Sequence, residues 1–352
     1  MDARAPSGEA DEGLRHPFSE PPAAGEATEV AEGILWMRLP LPMKLDHVNV
    51  YAADDGDGWT LIDTGLDTRK TRAIWEALLA GPLSGRPVRR VLVTHHHPDH
   101  IGLAGWFRAK GAELVTTRTA WLFARMLVLD VQDRPVPETL DFWRGAGMLP
   151  EVLARREAER PFNFADVVAP LPLGFRRIAG GDRIGLGGRG WTVRTGDGHA
   201  PEHATLWSDA GDLVIGGDQL LPGISPNLGV YATEPDADPV GEWLASCERL
   251  RPHATGRELV LPGHKLPYTG LPFRLGQMIA NHHGALARLA EALARPLTAV
   301  ECFPALYQRP IGEAEYGLAL VEAVAHLNHL RREGRAVRSR AGGGPWLWRR
   351  AE

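Results

Sequence analysis

Short apolar runs recur along the first 264 positions of this chain, and each stops at a glycine, an aspartate or a histidine. Trp59-Thr60-Leu61-Ile62 runs into Asp63-Thr64-Gly65, and Val91-Leu92-Val93-Thr94 into His95. The alternating Trp191-Thr192-Val193-Arg194-Thr195 ends at Gly196, Leu213-Val214-Ile215 at Gly216-Gly217-Asp218, and Glu258-Leu259-Val260-Leu261 at Pro262-Gly263-His264. Their length and alternation predict strands. Elsewhere helical spacing takes over. Ala120 to Leu129 reads as an apolar helix, and Thr139 to Ala146 and Glu151 to Ala158 as two more, parted by Gly147-Met148-Leu149-Pro150. Beyond His264 the pattern predicts a long helix over Leu271 to Ala294, a short one around Val300 to Tyr307, and a longer one from Gly312 to Arg332. Leu318, Val321, Val324 and Leu327 sit at helical spacing in the last of these. Two strand-like pieces follow Gly334, Ala336 to Ser339 and Trp346 to Trp348.

Chemistry concentrates where the strands end. The turn after Thr94 reads His95-His96-His97-Pro98-Asp99-His100-Ile101-Gly102. Residues two apart in an extended loop project to one side, so His95 and His97 can converge on one metal ion, while Asp99 and His100 lie one turn further on and can serve a second. One loop supplies too few ligands for two ions. His199, Asp218 and His264 stand after the other strands in the same way, and Asp63 adds a carboxylate upstream.

These motifs, in this order from about Glu29 to about Gly284, resemble the metallo-β-lactamase-fold hydrolase superfamily. The resemblance implies a four-layer αββα sandwich. It implies that His95, His97 and His199 hold a first metal, that Asp99, His100 and His264 hold a second, and that Asp218 bridges the two. Asp63 would support the metal loop from behind. Two divalent ions a few Å apart lower the pKa of a shared water from about 15.7 toward 7 and polarise the substrate oxygen, so hydrolysis follows. Asp99 is the candidate to orient that water and pass its proton to the leaving group. Imidazole with carboxylate and no thiolate suits zinc first, and iron or manganese also fit. Both cysteines, Cys247 and Cys302, lie in helix-like segments away from every motif, unlike antibiotic-degrading members with a cysteine at the second metal. The all-His/Asp set is closer to the glyoxalase-II-like branch, whose members cleave thioesters, esters and lactones. Lys265-Leu266-Pro267-Tyr268 does not match glutathione recognition there, and Lys265 reads either as an anion contact or as a solvated lysine.

Composition and charge narrow the partners. With 44% hydrophobic and 24% charged residues the usage is that of a globular protein, and a net charge of −5 gives no general pull toward nucleic acid or anionic membrane. No apolar run is long enough to span a bilayer. Met1 to Thr28, rich in Ala, Gly, Glu and Pro, reads as a disordered tail and lacks a signal-peptide core. Two separated cysteines fit a reducing, cytoplasmic setting. The expected domains are therefore a tail over 1–28, a catalytic domain over 29–284 with a helical insertion at about 118–178, and a winged-helix-like domain over 285–352. The insertion is placed to wall a substrate pocket, with Trp121, Phe123, Met126, Phe142 and Trp143 either lining it or packing a small core of their own. His282 and His283, adjacent on a helix and unable to face the same way, read as structural or solvated. From Glu301 to Glu352 eight Arg face six Glu, 8 − 6 = +2, which is weak for phosphate binding. The expected substrate is a small ester, thioester or lactone, with cleavage of single-stranded RNA as the alternative. A di-iron electron-transfer role is the third, without an accompanying flavin domain. A homodimer is compatible with the small domain.

Overall fold

The apolar runs assemble into two sheets packed face to face. In the computed structural model, which describes residues 13–352, the first sheet takes seven strands in chain order: β1 (Thr28–Ala31), β2 (Ile34–Pro40), β3 (His47–Asp54), β4 (Trp59–Ile62), β5 (Val88–Leu92), β6 (Glu113–Thr117) and β7 (Arg176–Ile178). The pairs up to β4 are antiparallel and those beyond it are parallel. Parallel neighbours require crossovers. These are α1 (Arg69–Ala80), the short α2 (Pro98–Ile101) with α3 (Ala104–Ala109), and an excursion through α4 (Arg118–Leu129), α5 (Pro137–Gly145) and α6 (Pro150–Ala158). The second sheet contains β8 (Arg183–Leu186), β9 (Arg189–Gly196), β10 (His203–Ser208), β11 (Leu213–Gly217) and β12 (Leu259–Pro262), with α7 (Pro239–Leu250) crossing between the parallel β11 and β12.

Three apolar layers fill the spaces between. Ile34, Trp36, Tyr51 and Ile62 of the first sheet meet Trp191, Leu206, Ile215 and Leu261 of the second. The outer face of the first sheet buries Trp75, Leu78 and Phe107 of α1 and α3. The outer face of the second, through Trp207, Val214 and Val260, takes Trp243 of α7 and then α8 (Leu271–Ala292). Each fully buried large side chain contributes roughly 1.5–3 kcal/mol. The result is the expected αββα sandwich.

The chain then continues through α9 (Phe303–Tyr307), α10 (Glu313–Arg332) and an antiparallel hairpin of β13 (Ala336–Arg340) and β14 (Trp346–Arg350). Val324 and Leu327 of α10 are wholly buried as their spacing predicts, whereas Leu318 is 48% exposed. The apolar layer of this segment is continuous with that of α7 and α8. It also takes in Phe142 of α5, whose ring meets Trp346 edge-on at 5.7 Å. The helical excursion therefore has no separate core around Phe142. No helix among the described residues is long and apolar enough to cross a membrane.

Two expectations need correction. The disordered tail does not extend over residues 13–28. Leu14 is buried, the Arg15 backbone pairs with Thr269 at 3.3 and 2.9 Å, and Phe18 packs edge-on against Trp36 at 6.0 Å. Two apolar anchors and a short backbone pairing suffice to hold a segment whose average composition hides them. The remainder of the tail, 1–12, lies outside the described residues. The strand before the histidine-rich turn also begins earlier than expected and ends at Leu92, so Val93 and Thr94 already belong to the loop.

Candidate metal centre

Strands β4, β5, β9, β11 and β12 all end at one rim of the sandwich, and their following residues are Asp63, the 95–100 turn, His199, Asp218 and His264. Two local devices let the backbone come close enough. Gly263 lies so near the cluster that a Cβ there would sit 2.2 Å from Asp218 Oδ1. Asp63 adopts a left-handed backbone with φ of 62°, uncommon for a non-glycine residue, and is held there by its own side chain. Its carboxylate accepts from the Thr94 N–H and Thr94 hydroxyl, both at 2.8 Å, and lies 2.8 Å from His100 Nδ1.

All seven side chains expected at the centre converge. His97 Nδ1 lies 3.0 Å from His95 Nε2 and 3.0 Å from His199 Nε2. On the other side His264 Nε2 lies 3.4 Å from Asp99 Oδ2, and His100 Nε2 lies 3.6 Å from the same oxygen. Asp218 stands between the two sets. Its Oδ2 is 3.5 Å from His199 Nε2 and 3.2 Å from His264 Nε2, while Oδ1 is 3.4 Å from His100 Nε2. The groups His95/His97/His199, His95/His100/Asp218 and Asp99/His100/His264 each present three donors close enough to hold one ion.

Imidazole tautomers follow from what lies behind each ring. His100 Nδ1 donates to Asp63, His199 Nδ1 to the Asn227 carbonyl at 2.9 Å, and His264 Nδ1 to the His47 carbonyl at 2.7 Å. The Thr94 hydroxyl donates to Asp63, which leaves its oxygen to accept from His95 Nδ1 at 3.0 Å. As neutral rings, all four would turn an Nε2 lone pair inward, toward other lone pairs and carboxylate oxygens. Buried His100 Nε2 and Asp218 Oδ1 have no hydrogen-bond partner. Acceptors cannot satisfy acceptors, and a cation resolves the conflict. The charge balance agrees. Burial pushes His264 down, but Asp218 and Asp99 outweigh it and bring it to about 10. His100 likewise ends well above its ordinary value, lifted by Asp218, Asp99 and Asp63 against burial. Burial drives His95 and His97 well below theirs, with their imidazole neighbours adding to the effect. Burial also opposes ionisation of Asp218 and Asp99, yet His264 and His100 hold both carboxyls below the usual range. The rim therefore keeps carboxylates ionised and demands positive charge beside them. Nitrogen and oxygen donors without sulfur fit zinc, iron or manganese; Cys247 and Cys302 are buried thiols elsewhere.

Residues 43–264, more than half of the chain, match the metallo-beta-lactamase superfamily. The chain belongs to that superfamily. Residues 286–351 match a metallo-beta-lactamase-like C-terminal domain. A beta-lactamase domain protein from Burkholderia ambifaria is 35% identical with a TM-score of 0.89, covering 97% of this chain and 99% of its own. A metallo-beta-lactamase family protein from Thermus thermophilus is 27% identical with a TM-score of 0.76, covering 92% and 100%. Among curated proteins, "Probable metallo-hydrolase YqjP" of Bacillus subtilis is 27% identical over 317 residues, 86% of this chain and 93% of that protein.

Sequence reasoning missed several residues around this metallo-beta-lactamase rim. His47 orients His264 with its carbonyl, and its Nε2 accepts from the Lys265 N–H at 2.9 Å. His203 stacks on His95 at 4.5 Å and accepts the Asp218 N–H through Nε2 at 3.1 Å. Asn227 backs His199. Only His203 had a signal, lying four residues after His199 in the same motif; His47 and Asn227 come from distant segments. Lys265 acts through its backbone, with φ of 70° and a carbonyl that accepts from Arg38 at 2.9 Å and Asn49 at 2.8 Å. Of the insertion aromatics, Phe123 lies 5.2 Å from His96 beside the metal turn. Trp121 stacks on Phe175 at 4.9 Å, Trp143 packs beneath Arg156 at 5.6 Å, and Met126 is exposed. His282 is buried in α8 against His326 and belongs to none of the three-donor groups.

Proposed function

We propose that this chain is a metal-dependent hydrolase with a dinuclear centre that cleaves a small ester, thioester or lactone. The observation that carries the reading is Asp218, whose carboxylate lies 3.5 Å from His199 of the first set and 3.2 and 3.4 Å from His264 and His100 of the second. A carboxylate shared in this way suits two adjacent cations better than one. In this reading His95, His97 and His199 hold the first ion, Asp99, His100 and His264 the second, and Asp218 both. Bound there, the ions would supply an activated water near neutral pH and a Lewis acid for the scissile carbonyl.

The chain's own residues do the rest. Asp99 is the most open of the three rim carboxylates, with 19% side-chain exposure against 8% for Asp218 and 3% for Asp63. It can therefore reach a reacting water, take its proton and return it to the leaving group. Asp63 fixes His100 and the Thr94 turn so that ligand geometry survives turnover. The helix-then-hairpin order at the C-terminus supports a winged-helix reading, and we assign the segment a supporting role beside the centre rather than nucleic-acid binding.

Metal analysis of purified protein, paired with turnover on thioesters, lactones and single-stranded RNA before and after chelation, tests this. About two ions per chain with chelator-sensitive acyl cleavage is the expected result. Cleavage of RNA alone would replace the acyl substrate, bound iron with strong visible absorbance and no hydrolysis would point to redox chemistry, and metal-free protein would overturn the reading.

A further inference from the structure

One ligand of the centre is backed by a segment with no secondary structure of its own. Residues 219–238, between β11 and α7, form neither helix nor strand, and His199 Nδ1 donates to a carbonyl in the middle of it, that of Asn227. A backbone carbonyl can orient a ligand only if its own segment is fixed. The bonds that fix this one come from the C-terminal helices. Arg274 of α8 donates to the Leu221 carbonyl at 2.7 Å and the Ile224 carbonyl at 2.8 Å. From α10, Asn328 donates to the Pro235 and Ala237 carbonyls at 3.0 and 2.9 Å, and the Val321 carbonyl accepts the Val230 N–H at 3.2 Å. At Asn227 itself the side-chain amide donates to Glu322 Oε2 at 3.1 Å and to the Leu318 carbonyl at 3.3 Å, both on α10. Glu322 of α10 thus accepts from the same residue whose backbone carbonyl orients His199. Asn227 therefore joins α10, through its side chain, to a ligand of the centre, through its main chain.

We propose that Glu322 and Asn227 are positioning residues for the metal centre, through which α10 fixes the ring of His199 and so sets the affinity of the first half-site alone. The inference rests on the dinuclear reading above. It makes the C-terminal segment a working part of the centre and gives Glu322 a role that neither the metal motifs nor the proposed acid–base chemistry uses. His264 and His100 are backed instead by His47 and Asp63 of the first sheet, so the second half-site is independent of α10.

The test is metal binding by the full-length chain, with zinc affinity measured by competition against a chromophoric chelator and the first half-site followed by the visible spectrum of the cobalt-loaded protein. Asn227→Asp removes the donor at nearly constant volume, and Glu322→Ala removes the acceptor. Each is expected to weaken one of the two ions by about 10- to 100-fold, the usual effect of losing a ligand's hydrogen-bonded support, to alter the cobalt spectrum, and to leave the other ion in place. Glu322→Gln keeps an acceptor oxygen and should bind both ions as the wild type does. The double variant Asn227→Asp/Glu322→Gln exchanges donor for acceptor and should recover most of the loss, which a merely structural role would not produce. Glu315→Ala, on the same helix but bonded to Lys44 and Arg309, should change neither ion. Two ions bound with unchanged affinity and spectrum in both Asn227→Asp and Glu322→Ala would overturn this proposal while leaving the hydrolase reading intact. Equal loss of both ions without rescue in the double variant would also overturn it. A wild-type chain that binds no metal would overturn both.

Discussion

At the residue scale, the centre depends on which atom each side chain turns inward. Four imidazoles are oriented by acceptors behind them, so losing a donor and losing its support have different consequences. Asp99→Asn keeps volume but cannot take a proton, and it is expected to lower kcat by roughly 10²–10⁴-fold, within the range of general acid–base catalysis, with one ion weakened but the fold unchanged. His97→Ala should remove the first ion and turnover together. Steady-state kinetics beside metal stoichiometry separates these outcomes, and full activity in either variant would defeat the mechanism. The seven rim residues were legible from sequence because each follows an apolar run and a turn residue, so position along the chain encodes position on the rim. His47 and Asn227 were not legible, because backing a ligand with a main-chain carbonyl needs no particular side chain and leaves no motif.

At the scale of elements, α8 and α10 meet through a pair of imidazoles. The rings of His282 and His326 are parallel within 2° at 5.8 Å, each donating through Nδ1 to the carbonyl four residues earlier in its own helix. Burial, with His282 adding to it, pushes His326 down to about 3. The folded state thus keeps His326 neutral while the unfolded chain protonates it below its ordinary 6.5, so stability from this residue is full above pH 6.5 and declines as pH falls toward 3. The decline is about 1.4 kcal/mol per pH unit at most. His326→Gln removes the titration, so its denaturant midpoint should shift less between pH 7 and pH 5 than that of the wild type; identical shifts would refute the assignment. The sequence pattern identified these helices to within a residue or two, yet read His282 only as structural or solvated, since its partner on α10 lies 44 positions away.

At the scale of the whole molecule, the apolar layer under the second sheet is shared. Trp243, Leu275 and Met278 on one side and Leu320, Leu327 and Trp348 on the other belong to one continuous core, and Arg340 of the hairpin grips Asp141 of α5 with two hydrogen bonds at 2.9 and 2.7 Å. A chain cut after Ala285 would expose that core to water. It is expected to lose cooperative unfolding, which thermal melts followed by circular dichroism would show; a well-folded truncated chain with a sharp transition would mean that the shared layer is dispensable.

Local pattern was enough for the alternation of apolar runs with ligand-bearing turns, because strand periodicity and turn chemistry are properties of neighbouring positions, and the sandwich followed from the family resemblance those motifs carry. What stands behind those residues, why residues 13–28 are tied down, and that α5, α8, α10 and the C-terminal hairpin share one core emerged only once the chain was folded. Those outcomes depend on contacts between segments far apart in sequence, such as Asn227 with Glu322 or Leu14 with the core around α8, and no local pattern of hydrophobic and polar positions specifies which distant surface a segment will meet.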